Sequence, residues 1–248
     1  MKISIITVVF NNKETISHAI NSVLSQTYKN IEYIIIDGAS TDGTVEIIES
    51  YGDRISTFIS EKDGGLYHAM NKGIELATGD IIGTLNSDDF YINPLCITKV
   101  VNEFRVRKID ALFADLVYVM PGNLERVVRY YDSSNFTPSR FAYGWMPAQP
   151  TFFIRKDVYK KYGMFRTDLR IAADFDLMVR FLYTYEIRYY YMKEVLVKMR
   201  VGGVSTSFSS IWIINLEVLR VCRDNGIKTN IFKILSKYPR KIIGILKK

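Results

Sequence analysis

The first third of the chain alternates short β-branched apolar runs with amphipathic segments of helical period, and this alternation leaves few architectures open. "ISIITVV" (3–9) is a near-continuous apolar run, as in a strand buried on both faces. Ile16, Ala19, Ile20, Val23 and Leu24 then fall on one helical stripe. "EYIIID" (32–37) reads as a second buried strand, and "GASTDGT" is turn chemistry with Thr41 or Asp42 as helix N-cap. Val45, Ile47, Ile48 and Tyr51 continue as a short helix, and "ISTFIS" (55–60) is a third strand. After the Gly64-Gly65 break, a helix runs from Leu66 to about Ala77, and "DIIGTLN" (80–86) is a fourth strand. Strands and helices at this spacing imply βαβ units and a parallel sheet.

The pattern changes after residue 108. "IDALFADLVYVM" and "NLERVVRYY" flank Pro121-Gly122-Asn123 and read as a hairpin. A loop rich in proline and aromatics follows (137–150), then a short strand "TFFI" and a helix near 156–162. Phe175, Leu177, Met178, Phe181 and Leu182 keep helical spacing, and "IRYYYM" and "VLVKMRV" read as two strands. The expected organisation is a ligand-binding α/β half (1–108), a second half of the same domain (109–205) and a helical, basic C-terminal extension (206–248). With 48% hydrophobic and 24% charged residues, the 248-residue chain affords a sizeable core.

In an open α/β sheet, ligands gather at the carboxyl ends of the strands. Here those ends carry Thr7 to Asn11, then Asp37, then Glu61 and Asp63, then Asn86-Ser87-Asp88-Asp89. Carboxylates collected on one edge repel each other unless a cation or donor groups enter. Oxygen ligands without His or Cys favour Mg²⁺ or Mn²⁺, which keep coordination sites for phosphate oxygens. Neither G-x-x-x-x-G-K-[ST] nor a strand-linked G-x-G-x-x-G is present, so a metal-bridged nucleoside diphosphate is the ligand this edge suggests. Cys96 and Cys222 have no metal or redox spacing and suit a reducing compartment.

The segment "SIITVVFNNKETISHAINSVLSQTYKNIEYIIIDGASTDGT" together with "SEKDGGLYHAMNKGIELATGDIIGTLNSDD" resembles the family 2 glycosyltransferases over roughly residues 1–205, and is similar to the bacterial members that build colanic acid, capsule and O-antigen. That resemblance implies the GT-A fold and an inverting, hexosyltransferase-type enzyme with a nucleoside diphosphate sugar donor, UDP-linked by expectation. It implies Thr7, Val8, Phe10 and Asn11 along the base and ribose, with Asp37 facing the base and Asp63 closing the pocket. Many members carry two acids where this chain has Asp37 then Gly38. Asp88 and Asp89 match the D-x-D-like metal motif: Asp89 is the implied Mn²⁺ or Mg²⁺ ligand, and Asp88 its helper toward ribose or a metal-bound water. Asn86 is placed with the nucleotide-binding set. "IAADFDLMVRF" matches the segment carrying the general base, which implies Asp174; Asp176 lies roughly 200° further around a helix and cannot share its face. Gln149, His68 and Arg200 are the implied acceptor-side residues. A sugar nucleotidyltransferase would want a glycine-rich loop after the first strand, where "TVVFNNKE" has none; a non-catalytic nucleotide-sugar or glycan-binding module is the other alternative.

The net charge of +7 comes from the C-terminal end. Residues 228–248 contain Lys228, Lys233, Lys237, Arg240, Lys241, Lys247 and Lys248 and no acid, and the rest of the chain balances at 26 basic and 26 acidic residues. Ile231, Ile234, Leu235, Tyr238, Ile242, Ile245 and Leu246 keep 3–4 spacing, with Pro239 expected to kink the helix. A basic amphipathic helix reads as a membrane-surface anchor, useful for a lipid-linked acceptor. No nucleic-acid recognition motif accompanies the charge. "MKISIITVVF" superficially resembles a signal peptide but is followed by "NNKE" and reads as a strand. The expectation is a cytoplasmic enzyme at the inner face of the membrane, with room for a homodimer.

Overall fold

The protein, seen in a computed structural model, is described for residues 1–202 and 208–238. Strands β1 (Ile3–Val9), β2 (Ile31–Asp37), β3 (Thr57–Ser60) and β4 (Ile81–Thr84) lie parallel in the order β3-β2-β1-β4. Helices α1 (Ile16–Leu24), α2 (Thr44–Glu49) and α3 (Leu66–Leu76) connect them. All seven residues of β1 are buried. Alternate side chains enter opposite cores: Ile6 and Val8 pack with α3, while Ile3, Ile5 and Val9 pack with α1. The stripe read from the sequence is the buried one, through Ile16, Ala19, Ile20 and Val23. Gly65 starts α3 at φ 109°, a left-handed geometry that glycine adopts without strain.

The remaining strands extend the same sheet across residue 108. They are β5 (Phe90–Tyr91), β6 (Ala111–Met120), β7 (Asn123–Tyr131), β8 (Phe153–Arg155) and β9 (Tyr189–Arg200), and the sheet order is β3-β2-β1-β4-β8-β6-β9-β5 with β7 beside β6. β4–β8, β8–β6, β6–β7 and β9–β5 are antiparallel, and β6–β9 is parallel, so the sheet as a whole is mixed. The parallel reading describes its N-terminal half. The expected hairpin is β6–β7. The two strands expected at 187–201 are one, because β9 bulges where Ala114 pairs Met192 but Asp115 pairs Val195. Gly83 in β4 lets Phe153 of β8 cross it: a Cβ there would come within 2.5 Å of the ring.

Helices α4 (Cys96–Val106), α5 (Lys156–Tyr162), α6 (Ala173–Val179), α7 (Phe208–Asp224) and α8 (Ile231–Leu235) complete the layers. α6 runs on as a π-helical turn over Arg180–Thr184. The sequence reading did not anticipate α4, although Cys96, Ile97, Val100, Val101 and Phe104 form its buried stripe. α7 lies on α6 through Val218, Val221 and Cys222. α8 turns back onto the body: Ile234 is buried, and Tyr238 Oη accepts from Asn215 Nδ2 at 2.9 Å. Part of the apolar stripe expected to face a membrane therefore faces the protein. Pro239 and residues 240–248 lie outside the described residues.

Candidate active site

The carboxyl ends of β1, β2, β3 and β4 meet along one rim, and hydrogen bonds sort the expected residues into those that build the rim and those that face outward. Thr7 is fully buried, with its hydroxyl 3.1 Å from Tyr33 Oη, and Val8 packs in the core. The alternation of β1 turns both side chains inward, one to each side of the sheet. Phe10 is 63% exposed at the strand end. Asn11 adopts φ 47° and ties β1 to the loop after β2: its N–H donates to Ser40 Oγ at 2.8 Å and its Oδ1 accepts from Thr41 N at 2.9 Å.

Asp37 is also part of the frame. It is fully buried, and its carboxylate accepts from Ser40 N at 2.9 Å, from the Ser40 hydroxyl and from Ser60 Oγ at 2.7 Å. The donors to Asp37 are thus supplied by the protein itself. The surface position belongs to Gly38, where a Cβ would come within 3.3 Å of Phe10 and 3.4 Å of Asp63 Oδ2. Phe10, Gly38 and Asp63 thus lie side by side. Glu61 pairs with Lys72 and leaves the unbalanced edge. Two further acids, Asp88 and Asp89, stand side by side beyond the end of β4.

There Asp89 is fully buried, and its Oδ2 accepts from Asn86 Nδ2 at 2.9 Å. Asp89 Oδ1 has no hydrogen-bond partner among the described residues. Burial, followed by the adjacent Asp88 carboxylate, pushes the Asp89 pKa well above the usual carboxylate range, and burial raises Asp88 as well. Arg200, buried at the end of β9, donates to the main-chain carbonyl of Asp88, with its guanidinium 5.0 Å from the centre of the Phe90 ring. It stands beside the carboxylate pair. Ser87 anchors the loop from the other flank by accepting from Asn12 Nδ2 at 2.8 Å and from Thr15 Oγ1 at 3.0 Å.

These residues fit a divalent cation of the Mn²⁺ or Mg²⁺ type. An orphaned buried carboxylate oxygen is the donor such an ion requires, and the donor set is oxygen only. Among the described residues no group of three or more His, Cys, Asp or Glu could enclose an ion. The remaining coordination sites would fall to water or to phosphate oxygens of a ligand.

Asp174 stands at the second position of α6, half-buried, with Oδ1 accepting from the N–H of Phe175 at 2.7 Å. The helix is capped at Ala172 with no side-chain acceptor of its own, so Asp174 is not its N-cap. Burial raises its pKa to about 6, with the Glu217 charge adding to the rise. Nearby, Arg129 lies over the rings of Tyr118 and Tyr131 at 5.2 and 5.6 Å. Asp176, by contrast, is buried against Arg180 Nε at 2.7 Å. Gln149 donates to Thr84 Oγ1 at 2.7 Å, at the end of β4. His68 is exposed and lines a cleft of about 390 Å³ with Asp63, Gly64, Asn71 and Lys72. Glu217 and the Tyr118–Tyr131 pair were missed in the sequence, where their separation from the motifs hides them.

A family model described as glycosyl transferase family 2 matches residues 4–178. The chain belongs to glycosyl transferase family 2. An uncharacterized glycosyltransferase of Rickettsia typhi is 32% identical over 221 residues, covering 84% of this chain and 67% of that protein. The Escherichia coli enzyme WfaP, described as a UDP-Glc:alpha-D-GlcNAc-diphosphoundecaprenol beta-1,3-glucosyltransferase, is 38% identical over 112 residues, 45% of this chain and 43% of its own length. The crystal structure of Staphylococcus aureus TarS in complex with UDP-GlcNAc superposes with a TM-score of 0.69 at 18% identity, over 92% of this chain and 68% of the other. A mannosyltransferase from Pyrobaculum calidifontis, solved with GDP-Man and Mn2+, gives 0.67 at 17% identity, over 88% and 64%. This family 2 glycosyltransferase therefore shares its fold with TarS and the mannosyltransferase.

Proposed function

We propose that this family 2 glycosyltransferase moves a sugar from a UDP-sugar to a glycan or lipid-linked acceptor, with inversion at the anomeric carbon and the help of Mn²⁺ or Mg²⁺. The observation that carries this reading is the orphaned Oδ1 of buried Asp89 beside Asp88 and Arg200. Asp89, with Asp88, would hold the metal, which when bound supplies positive charge to the leaving diphosphate. Arg200 adds a fixed positive charge at the same place. Phe10, Gly38 and Asp63 form the surface offered to the base. Asp174 takes the proton of the acceptor hydroxyl as that oxygen bonds to the anomeric carbon and the bond to the diphosphate oxygen breaks. A base so placed contributes roughly 10²–10⁴ in rate. The nucleotide is supported by the UDP-GlcNAc bound to TarS and the UDP-Glc in the WfaP name, and the lipid-linked acceptor by the WfaP name. The metal is supported by the Mn2+ in the mannosyltransferase complex.

The test is donor turnover with and without Mn²⁺ or Mg²⁺ in the wild type and in Asp89→Ala. Full activity of the variant with no metal requirement would overturn the reading.

Attachment to a membrane surface through residues 228–248 is the second part of the proposal. It is supported by the acid-free basic sequence and by Phe232, which is 80% exposed on α8 next to Lys233. No described helix is long and apolar enough to cross a membrane.

A further inference from the structure

The turn that delivers Asp174 to the site is gripped from both sides by residues far away in the chain. Glu217 of α7 accepts three consecutive main-chain N–H groups: Arg170 N on Oε1 at 2.7 Å, and Ile171 N and Ala172 N on Oε2, each at 2.9 Å. Tyr67 of α3 donates its hydroxyl to the carbonyl of Ile171. The peptide units flanking Ile171 are thus held through an N–H on one side and a C=O on the other. Ala172 is the N-cap residue of α6 and offers no side chain to the free N–H groups of the helix start. The carboxylate that holds the N-cap amide of Ala172 and the two amides before it comes from another helix. Its carrier is rigid, since Val218, Val221 and Cys222 of α7 are buried against the core that includes Phe175 of α6.

An exposed turn satisfies its amides with water at little cost. Three amides converging on one carboxylate fix the path of the backbone instead, and the first acid beyond it is Asp174. We propose that Glu217 is a positioning residue for the general base, which makes α7 part of the catalytic unit although it lies outside the stretch matched by the family. The proposal rests on the reading of Asp174 as base. Glu217 acts on Asp174 in two ways. It sets where the carboxylate stands at the start of α6, and it adds a negative charge nearby. Proton transfer demands hydrogen-bond reach, so a small displacement of the turn is costly: about 10²-fold in rate for an error of 1 Å.

The experiment is a double-mutant cycle on the full chain, with Glu217→Ala, Glu217→Gln, Asp174→Asn and the Glu217→Ala/Asp174→Asn pair. Three quantities are read: kcat and donor KM, the UDP affinity by calorimetry with Mn²⁺, and hydrogen exchange of the amides at 170–172. In both Glu217 variants, kcat should fall about 10–100-fold with UDP affinity at the wild-type value, and exchange at 170–172 should quicken. In the Asp174→Asn background, the Glu217→Ala change should alter kcat by less than about twofold, because the group it positions is gone. Glu217→Gln keeps the side-chain volume and carries the test if the alanine variant does not fold. Faster exchange at 170–172 with unchanged kcat would overturn the proposal. So would an equal fall of kcat with and without Asp174. Wild-type kcat in Asp174→Asn alone would instead remove the base assignment, a separate outcome.

Discussion

Asn86 Nδ2 donates to Oδ2 of Asp89 at 2.9 Å, and Oδ1 of the same buried carboxylate has no partner among the described residues. One oxygen is held so that the other is presented. A buried, half-satisfied acid costs stability, and the cost persists because the oxygen has a use.

Asp89→Asn should therefore separate function from stability. Removing the buried charge should raise the Tm of the ligand-free protein, while donor turnover and Mn²⁺-dependent UDP binding are lost. Differential scanning fluorimetry with and without UDP and Mn²⁺ reads both effects, and a lower Tm without ligand would contradict the account.

Arg200 should have opposite effects on the two ligands. In Arg200→Gln, Mn²⁺ binding to the nucleotide-free protein should tighten, because a neighbouring positive charge no longer repels the ion. UDP binding at saturating Mn²⁺ should weaken, because the diphosphate loses a cation. Electron paramagnetic resonance of free Mn²⁺ and calorimetry with UDP measure the two separately; shifts of the same sign would rule this out.

The pH dependence of kcat should carry an ascending limb near pH 6. Asp174 must be deprotonated to act, and its pKa is raised to about 6 by burial and the Glu217 charge. Because its folded pKa lies above the unfolded value, the carboxyl favours folding at low pH, and this contribution is lost as pH rises from about 4 through 6. Asp174→Asn should lower kcat roughly 10²–10⁴-fold, abolish the limb and raise Tm at pH 7.

Asp37 should behave as a structural residue. Asp37→Ala leaves Ser40 N–H, the Ser40 hydroxyl and the Ser60 hydroxyl without their acceptor. The expected loss is about 2–4 kcal/mol of unfolding free energy, measured by urea titration. Mn²⁺ affinity at Asp89 should change little by comparison.

For the tail, the cut should fall after Tyr238 rather than at Lys228, because Ile234 belongs to the core. Removing residues 239–248 should abolish flotation with vesicles containing anionic lipid and leave Tm in place. Unchanged flotation would end the anchor reading.

The four parallel strands, their helices and the rim where Asp63, Asp88 and Asp89 meet were legible in the sequence, because burial on both faces of a strand and one stripe of a helix impose periods on neighbouring residues. The same periodicity would have revealed α4, which went unread. The short β5 was beyond its reach. What periodicity does not record is which partner a polar group finds. Asp37 and Asp89 look alike at the ends of β2 and β4, yet one accepts from two serines and the other keeps a bare oxygen. Thr7 reads as rim residue and core residue equally well until Tyr33 claims its hydroxyl. Glu217 and Ala172 are 45 positions apart, and only the packing of α7 on α6 makes them neighbours. Local patterning determined the elements and the rim. The roles of the acids were decided by hydrogen bonds between elements, whose directions depend on how the layers close over the sheet.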